Sequence, residues 1–309
     1  MRILVTGGAG FIASNIVDAY IEAGHEVSII DNLSSGSEKN VNPKARLYKL
    51  DIRSPEIELV FAKEKPDILN HHAAQIDVRK SVEDPIFDAS VNITGMIALL
   101  QNCVKHGVKK VIFASSGGAI YGEPNTLPAD ESMPLNPLAP YGTSKVAGEY
   151  YLKCYGALHG LKYTSLRYGN IYGPRQDPFG EAGVIAIFCR AMLENQEVKI
   201  FGTGEQLRDY VYVGDVVKAN LLALERADGE CINIGTAVGT SVNELFSRLK
   251  SIIGYEKDAV YCPPRQGELE RIYLAYDKAA RVLGWQPEVD IQQGLELTAE
   301  YFRVQGQIN

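Results

Sequence analysis

The feature that most restricts the fold of this chain is a glycine-rich turn near its start. Gly7, Gly8 and Gly10 follow a short apolar run at residues 3–6 and precede a helical pattern. A glycine in such a turn permits a tight bend, and a second one lets backbone N–H groups approach a pyrophosphate at the helix N-terminus. Ala13 occupies the third glycine position of this motif and is small enough for close packing of helix and strand. The turn therefore predicts a dinucleotide-binding βαβ unit.

Strands and helices alternate through the first half of the chain. The strand candidates are residues 3–6, 26–31, 46–50, 67–71 and 110–114, and the helical patterns are residues 54–64, 85–106 and 140–158. Such alternation requires crossover connections and gives a parallel sheet that is covered on both faces. We therefore predict an α/β fold with a Rossmann-type, doubly wound parallel sheet.

The second half of the chain has a different pattern. Loop signals stand at residues 169–183, 202–204 and 263–264, and helices are predicted at residues 183–194, 213–226, 241–253 and 291–303. Residues 231–234 have the composition of a strand that rejoins the first sheet. The predicted organisation is a dinucleotide-binding domain at residues 1–168, extended by about residues 211–235, and a smaller C-terminal α/β substrate-binding domain mainly at residues 169–309.

A carboxylate ends the second predicted strand. Asp31 stands 21 residues after Gly10, where a carboxylate accepts the ribose hydroxyls of an adenosine and repels a 2′-phosphate. The next basic residue is Lys39. The pattern therefore favours NAD over NADP as the cofactor.

A phenol and an ammonium group are four residues apart on one predicted helix face. A lysine cation near a tyrosine favours the phenolate, so Tyr141 and Lys145 are candidates for a catalytic base and its partner. Ser115 and Ser116 follow the strand at residues 110–114, whose carboxyl end faces the cofactor crevice. A serine there can hold a substrate oxygen while Tyr141 handles its proton. The sequence does not decide which of the two serines contacts the substrate.

Together these residues resemble the extended short-chain dehydrogenase/reductase family, and within it the nucleotide-sugar 4-epimerases. The likeness extends to the strings at residues 31–36, 73–75, 167–178 and 208–212 and runs essentially from end to end. It implies NAD-dependent epimerisation at C4 of a UDP-hexose, interconverting UDP-glucose and UDP-galactose through a 4-keto sugar. In the implied reaction Tyr141 takes the proton of the 4-hydroxyl while the C4 hydride passes to NAD⁺ and later returns to the other face.

The resemblance also implies binding residues. Those expected to line the cofactor, besides Tyr141 and Lys145, are Gly7, Gly10, Phe11, Ile12, Asp31, Asn32, Gly36, Asp51, Ile52, Ala73, Ala74, Gln75 and Asn92. Those expected to hold the UDP-sugar, besides Ser116 and Tyr141, are Asn170, Arg208 and Arg265 at the diphosphate, Phe201 against the uracil and Glu268 near the uridine ribose.

Several alternatives within the family stay open. UDP-N-acetylglucosamine and UDP-glucuronate are alternative substrates, and Ile272 stands where some members carry a tyrosine that blocks N-acetyl groups. Dehydratases and decarboxylases carry acidic residues after the catalytic serine, whereas residues 117–120 contain none here. A catalytically inactive NAD(H)-binding sensor is disfavoured because Tyr141 and Lys145 are both present.

Composition excludes other classes of protein. Lys plus Arg number 31 against 38 Asp plus Glu, a net charge of −7 that disfavours nucleic-acid binding. The longest apolar run, residues 184–189, is six residues long, far below the ~20 of a membrane-spanning helix. The apolar run at residues 3–5 is too short for a signal-peptide core, so we expect a cytoplasmic protein.

The five cysteines stand 31 residues or more apart, so we expect no metal site and no disulfide framework but buried thiols in a reducing compartment. The family resemblance implies a homodimer that packs the helices at about residues 85–106 and 140–158.

Overall fold

The computed structural model describes residues 1–179, 183–265 and 269–308, with side chains as far as residue 305. Its strands, in chain order, are β1 (Arg2–Thr6), β2 (Glu26–Ile30), β3 (Arg46–Tyr48), β4 (Ile68–His71), β5 (Lys110–Ser116), β6 (Lys162–Tyr168), β7 (Asn170–Tyr172), β8 (Lys199–Phe201), β9 (Leu207–Arg208), β10 (Tyr210–Tyr212), β11 (Glu230–Ile234), β12 (Thr240–Ser241), β13 (Val260–Cys262) and β14 (Arg271–Ile272).

Most of the helices begin and end close to the predicted positions, but two short ones, at residues 78–83 and 117–120, were not predicted. They are α1 (Phe11–Glu22), α2 (Ile57–Glu64), α3 (Val78–Glu83), α4 (Pro85–Ala89), α5 (Gly95–Lys105), α6 (Gly117–Ile120), α7 (Pro140–His159), α8 (Val184–Leu193), α9 (Val213–Ala223), α10 (Val242–Ile253) and α11 (Ile291–Ile308). A π-helical turn, Ser90–Thr94, joins α4 to α5, so the single helix predicted at residues 85–106 has three parts.

Seven parallel strands form the central sheet, in the order β3-β2-β1-β4-β5-β6-β11. The predicted α/β class and its doubly wound parallel sheet are therefore confirmed. β11 pairs in parallel with β6, so the chain returns to the first sheet after the loops and small strands of its second half. The strand order reverses between β1 and β4, and in open α/β sheets such a reversal opens a crevice at the carboxyl ends of the strands.

Alternate side chains of the sheet enter two separate cores. Ile3 and Val5 of β1 pack with α1 and α9 on one face, while Leu4 packs with α2, α5 and α7 on the other. Successive residues of a strand point to opposite faces, and each buried aliphatic side chain contributes roughly 1.5–3 kcal/mol. Helix α7 is thereby held against the sheet.

The remaining elements build a third core. Helices α8, α10 and α11 enclose Phe188, Leu245 and Leu295, and the two- and three-residue strands pair as β7 with β10, β8 with β13, and β9 with β12 and β14. The ring of Tyr172 is so close to Gly294 that any side chain at position 294 meets its hydroxyl. This contact fixes where α11 crosses β7.

The cysteines differ from the expectation. Cys103 and Cys189 are buried, but Cys154 is exposed on the solvent face of α7, and Cys231 and Cys262 are partly exposed. The error arises because the small size of cysteine does not reveal which face of a helix it occupies. Across the described residues, no cluster of three or more His, Cys, Asp or Glu side chains is arranged to hold a metal ion.

None of the described helices is both long enough and apolar enough to cross a membrane.

Candidate active site

A cleft of about 1610 Å³ lies along the carboxyl ends of the central strands. The predicted cofactor residues that line it are Gly7, Gly10, Phe11, Ile12, Asp31, Asn32, Gly36, Asp51, Ile52, Ala73, Ala74, Gln75, Tyr141 and Lys145. Residues predicted from widely separated segments therefore meet at one place.

The glycine turn leaves the start of α1 open to the cleft. Gly7 has a φ of +73°, and a Cβ there would lie 2.7 Å from the Ala73 nitrogen, so a larger residue collides with the neighbouring loop. Gly10 caps the helix without a side chain. The first N–H groups of an α-helix have no partner within the helix, so this turn provides N–H donors and a partial positive charge for an anion.

Backbone N–H groups orient the Asp31 carboxylate. Its Oδ2 accepts a hydrogen bond from the Ala9 nitrogen at 3.0 Å, and its Oδ1 accepts one from the Leu33 nitrogen at 2.8 Å. The side chain is buried, and each carboxylate oxygen retains a further lone pair. Those lone pairs suit the two hydroxyls of a ribose.

A second acidic residue stands beside it. The Arg53 guanidinium binds Asp51 with two hydrogen bonds of 2.8 Å, and Asn32 donates a third at 3.0 Å. The hydrogen bonds from Arg53 lower the pKa of Asp51 to about 2. Asp51 is therefore a fixed acceptor at the rim of the cleft.

Asn92 is buried behind the cleft rather than on its lining. Its Oδ1 accepts a hydrogen bond from the Gln75 backbone nitrogen, and its Nδ2 donates one to the Gln75 backbone oxygen, each at 2.9 Å. The Asn92 amide thus pairs with the backbone in the way that a neighbouring β-strand does. The π-helical turn aims this amide at the loop, and such turns occur frequently at functional sites. Asn92 thus holds the loop of Ala73, Ala74 and Gln75, which forms the cleft wall.

The tyrosine, lysine and one serine meet at the end of β5. The Ser116 side chain lies close enough to the Tyr141 phenol to lower its pKa. The Lys145 Nζ donates to the Ala114 oxygen at 2.8 Å and lies 5.6 Å from the centre of the Tyr141 ring. Ser115 lines the cleft, and its buried Oγ has no hydrogen-bond partner among the described residues. Ser116 thus acts on the pKa of the phenol, whereas Ser115 lines the cleft, and the role of each serine toward a substrate stays a prediction.

Burial controls the protonation of this pair. It raises the pKa of Tyr141 to about 12, although Ser116 acts in the opposite direction. Burial also lowers the pKa of Lys145 to about 8. A positive charge brought next to the phenol favours the phenolate, so the pair suits a cofactor with a cationic ring.

The residues present fit a dinucleotide. The open helix start, the Asp31 carboxylate and the small Ala73 and Ala74 match its pyrophosphate, ribose and ring. These are features that a bound nucleotide satisfies.

The described residues predicted to hold the UDP group, Asn170, Phe201, Arg208 and Arg265, lie beyond the lining of this cleft. The Arg265 guanidinium carbon stacks 4.1 Å above the centre of the Phe201 ring. Arg208 donates to the backbone oxygens of Leu207 at 2.9 Å and Leu269 at 2.7 Å. The exposed Asn170 begins β7, next to the segment that follows Ser116. Glu268 lies outside the described residues.

Ile272 is fully buried rather than facing an open space. It packs with Ile120, Tyr121, Ala129 and Leu274, directly below α6. Its size therefore affects the position of the segment after Ser116.

Asp209 is a buried acidic residue that the sequence reading did not identify. It accepts hydrogen bonds from the Thr236 nitrogen and hydroxyl and from the Leu274 nitrogen at 2.7–3.0 Å. Burial raises its pKa to about 6. In the sequence, Asp209 could have been noticed because it is an acidic residue between Arg208 and the aromatic strand β10. In the structure, its carboxylate joins three segments of backbone.

An open parallel sheet with a glycine turn, a carboxylate after the second strand and a Tyr/Lys pair beside a serine defines an extended short-chain dehydrogenase/reductase. The family model for the NAD dependent epimerase/dehydratase family matches residues 3–235. The chain belongs to this family, and its cofactor is NAD.

Individual relatives match over the whole chain. A protein of Methanocaldococcus jannaschii named putative UDP-glucose 4-epimerase is 52% identical over 301 residues, which are 97% of this chain and 98% of that protein. The Thermotoga maritima UDP-glucose 4-epimerase, crystallised with UDP-glucose, is 53% identical with a TM-score of 0.97 and 99% coverage of both chains. The Thermus thermophilus UDP-glucose 4-epimerase complex with NAD is 45% identical with a TM-score of 0.94, covering 98% and 99%.

Proposed function

We propose that this protein is an NAD-dependent isomerase that interconverts UDP-glucose and UDP-galactose at C4. The observation that carries the proposal is that Tyr141 and Lys145 line the same cleft as the predicted cofactor residues, with the Lys145 Nζ 5.6 Å from the centre of the Tyr141 ring. The names of the relatives support the same reaction.

The chain's own residues handle the proton. NAD, when bound, supplies the hydride acceptor and returns the hydride after the 4-keto sugar has turned over. Tyr141 removes the proton of the 4-hydroxyl and gives it back, because the phenolate next to the Lys145 cation is a competent base. Ser116 keeps the sugar 4-oxygen within reach of the phenol. Ser115, which lines the same cleft, supports the bound substrate.

In this proposal, one part of the chain binds NAD and another part binds the UDP group of the substrate. Residues 1–168, with residues 211–235, hold NAD, and Asn92 does so through the loop that it fixes. Residues 169–309 mainly hold the UDP group. There Arg208 and Arg265 bind the diphosphate, because guanidinium groups match phosphate geometry. Phe201 packs against the uracil, Asn170 assists at the diphosphate, and Glu268 binds the uridine ribose.

The segment after the serine pair favours epimerisation over elimination. Gly117 is packed against Leu274 so tightly that any side chain collides with it, and Gly118 faces Asn170. An acid or base of the kind that a dehydratase places here would fit at position 117 only if Leu274 moved, and no acidic residue is present at residues 117–120. A redox-only reaction fits this segment better.

We further propose a cytoplasmic homodimer that acts in galactose metabolism. Large apolar side chains are exposed on α4 and α7, with Ile86 83%, Leu158 70% and Tyr150 62% exposed. A second copy that packs these helices into a bundle buries them. NAD and nucleotide sugars are both available in the cytoplasm.

The test is conversion of UDP-galactose, followed by proton NMR of the anomeric signals. We expect UDP-glucose to appear with the wild-type protein and the rate to fall by about 10²–10⁴-fold in Tyr141→Phe, which removes the base. UDP-N-acetylgalactosamine and UDP-glucuronate run in parallel to rank the substrates.

The matched control is Tyr151→Phe, another tyrosine with an exposed side chain on the same helix. It should convert UDP-galactose at the wild-type rate. Absence of conversion by wild-type protein with NAD bound, or full activity of Tyr141→Phe, contradicts the proposed reaction.

A further inference from the structure

A buried carboxylate lies behind the catalytic helix, outside the cleft lining. Asp88, on α4, has no exposed surface. Its Oδ1 accepts hydrogen bonds from Gln75 Nε2 at 3.1 Å and Asn92 Nδ2 at 2.9 Å, and its Oδ2 accepts one from Ser144 Oγ at 2.6 Å. Neutral donors thus hold this carboxylate at a place where a charge is costly to bury.

One side of Asp88 controls the cofactor loop. Gln75 and Asn92 share its Oδ1, and Asn92 in turn holds the Gln75 backbone. The same loop begins at Ala73, against which Gly7 of the glycine turn is packed. A shift of Asp88 therefore reaches the wall of the cleft through two hydrogen bonds.

The other side of Asp88 controls the catalytic helix. Ser144 stands immediately before Lys145 and one turn after Tyr141 on α7. Its hydrogen bond to Asp88 is the shortest of the three. Asp88 is thus bonded both to the loop that walls the cofactor cleft and to the helix that carries the base.

We propose that Asp88 is a positioning residue: it joins the cofactor loop to the catalytic helix and places a negative charge behind the Tyr141–Lys145 pair. The role in turnover rests on the proposed function, whereas the role in ionisation does not.

Asp88 affects the pKa values of both Tyr141 and Lys145. Burial lowers the pKa of Lys145, and the Asp88 carboxylate acts against this, followed by Glu149. Burial raises the pKa of Tyr141, Ser116 lowers it, and Asp88 raises it further. Asp88 thus shifts both groups in the same direction, towards higher pKa values.

Other titratable side chains near the Tyr141–Lys145 pair lie on β4, α3 and α7. From β4, burial lowers the pKa of His71 and of the adjacent His72 to about 3, so both are neutral at pH 7. Glu149, on α7, is paired with Arg167 at 2.6 Å. Lys80, on α3, is exposed and lies over the Phe87 ring.

The test is Asp88→Asn, which removes the charge without changing the shape. The amide oxygen can accept from Gln75 and Asn92, and the Ser144 hydroxyl can reverse to accept from the amide nitrogen. In NAD-bound protein, Tyr141 should ionise about one pH unit lower, measured by ultraviolet absorbance of the phenolate after subtraction of the Tyr141→Phe background. Both limbs of the pH–rate profile should move down with it.

Three further variants separate charge from anchoring. Ser144→Ala keeps the carboxylate but cuts the link to α7, so kcat should fall while the ionisation pH stays unchanged. Asp88→Ala should also weaken NAD binding by about tenfold or more, because the cofactor loop loses its anchor. Asp84→Asn, an exposed residue that caps α4, is the control and should change none of these quantities.

The outcomes are decisive. An unchanged Tyr141 ionisation in Asp88→Asn, or an equal shift in Ser144→Ala, overturns the charge effect. Unchanged NAD affinity in Asp88→Ala overturns the link to the cofactor loop. If the wild-type protein does not convert UDP-galactose, the proposed function fails, but the ionisation and NAD measurements still decide the role of Asp88.

Discussion

At the scale of single residues, we predict that Asp31 sets the preference of the protein for NAD over NADP. In Asp31→Asn an amide nitrogen replaces one carboxylate oxygen and therefore faces the backbone N–H of either Ala9 or Leu33. One hydrogen bond to the backbone is lost, and so is one acceptor for the ribose hydroxyls. We expect NAD affinity to fall by about tenfold to a hundredfold and the preference over NADP to narrow, measured by calorimetric titration with both cofactors.

The control for this prediction is Glu38→Gln. Glu38 is an exposed residue whose ion pair with Lys49 is on the surface, and such pairs contribute little. Its NAD affinity should equal that of the wild-type protein. Tight NADP binding by unaltered protein contradicts the role of Asp31.

Residues within one element could be predicted, whereas contacts between elements could not. The turn at Gly7 and Gly10, and the pair Tyr141 and Lys145, were readable because helix and turn geometry relate residues a few positions apart. The bond between Ser144 and Asp88 joins positions 56 apart in sequence, and no local pattern reveals it. The sequence also could not show that Ser115 lines the cleft while Ser116 ends β5 outside the described lining.

At the scale of secondary-structure elements, Asp209 joins short strands that are not stable alone. Its carboxylate accepts N–H donors from residues 236 and 274, next to β9 and β14. In Asp209→Asn an amide N–H faces a backbone donor in a buried place. We expect the free energy of unfolding to fall by about 2–4 kcal/mol, measured by urea denaturation with NAD absent.

Asp258→Asn provides the comparison. Asp258 is 97% exposed in its ion pair with Lys250, so its removal should change stability by less than about 1 kcal/mol. Equal effects of the two substitutions are incompatible with the role given to Asp209.

The ends of helices and strands could be predicted where the apolar periodicity extends over many residues. The helix at residues 140–158 and the strands of the first half were predicted closely, but the π-helical turn Ser90–Thr94 was not. One extra residue within a helix barely changes a periodic pattern over residues 85–106. Strands of two or three residues, such as β9 and β12, carry too few residues to show alternation.

At the scale of the whole molecule, the exposed apolar face of α7 predicts self-association. In Leu158→Glu, a charge would enter the proposed helix bundle, where its burial is costly. We expect the mass in solution to fall from that of a dimer to about that of one chain, measured by sedimentation equilibrium at micromolar concentration.

Leu297→Glu is the matched control. Leu297 is exposed on α11, away from α7, and the same change of chemistry there should leave the mass unaltered. A wild-type protein that sediments as a monomer contradicts the proposed homodimer.

The overall architecture was predictable because composition and alternation act over many residues. The parallel sheet followed from strands separated by helices, and the strand character of residues 231–234 gave its return to the first sheet. The arrangement of the small second-half strands depended on buried polar contacts such as those of Asp209, which appear only in three dimensions.

The position of β11 has a consequence for synthesis on the ribosome. β6 is complete at residue 168, but its neighbour β11 spans Glu230–Ile234 and emerges more than 60 residues later. Until then, the nascent chain presents an unpaired strand edge, to which another strand can add. The cofactor-binding sheet is thus completed only after α8 and the strands β7 to β10 have been synthesised. A chaperone that binds exposed strand edges would act on the nascent chain during that interval.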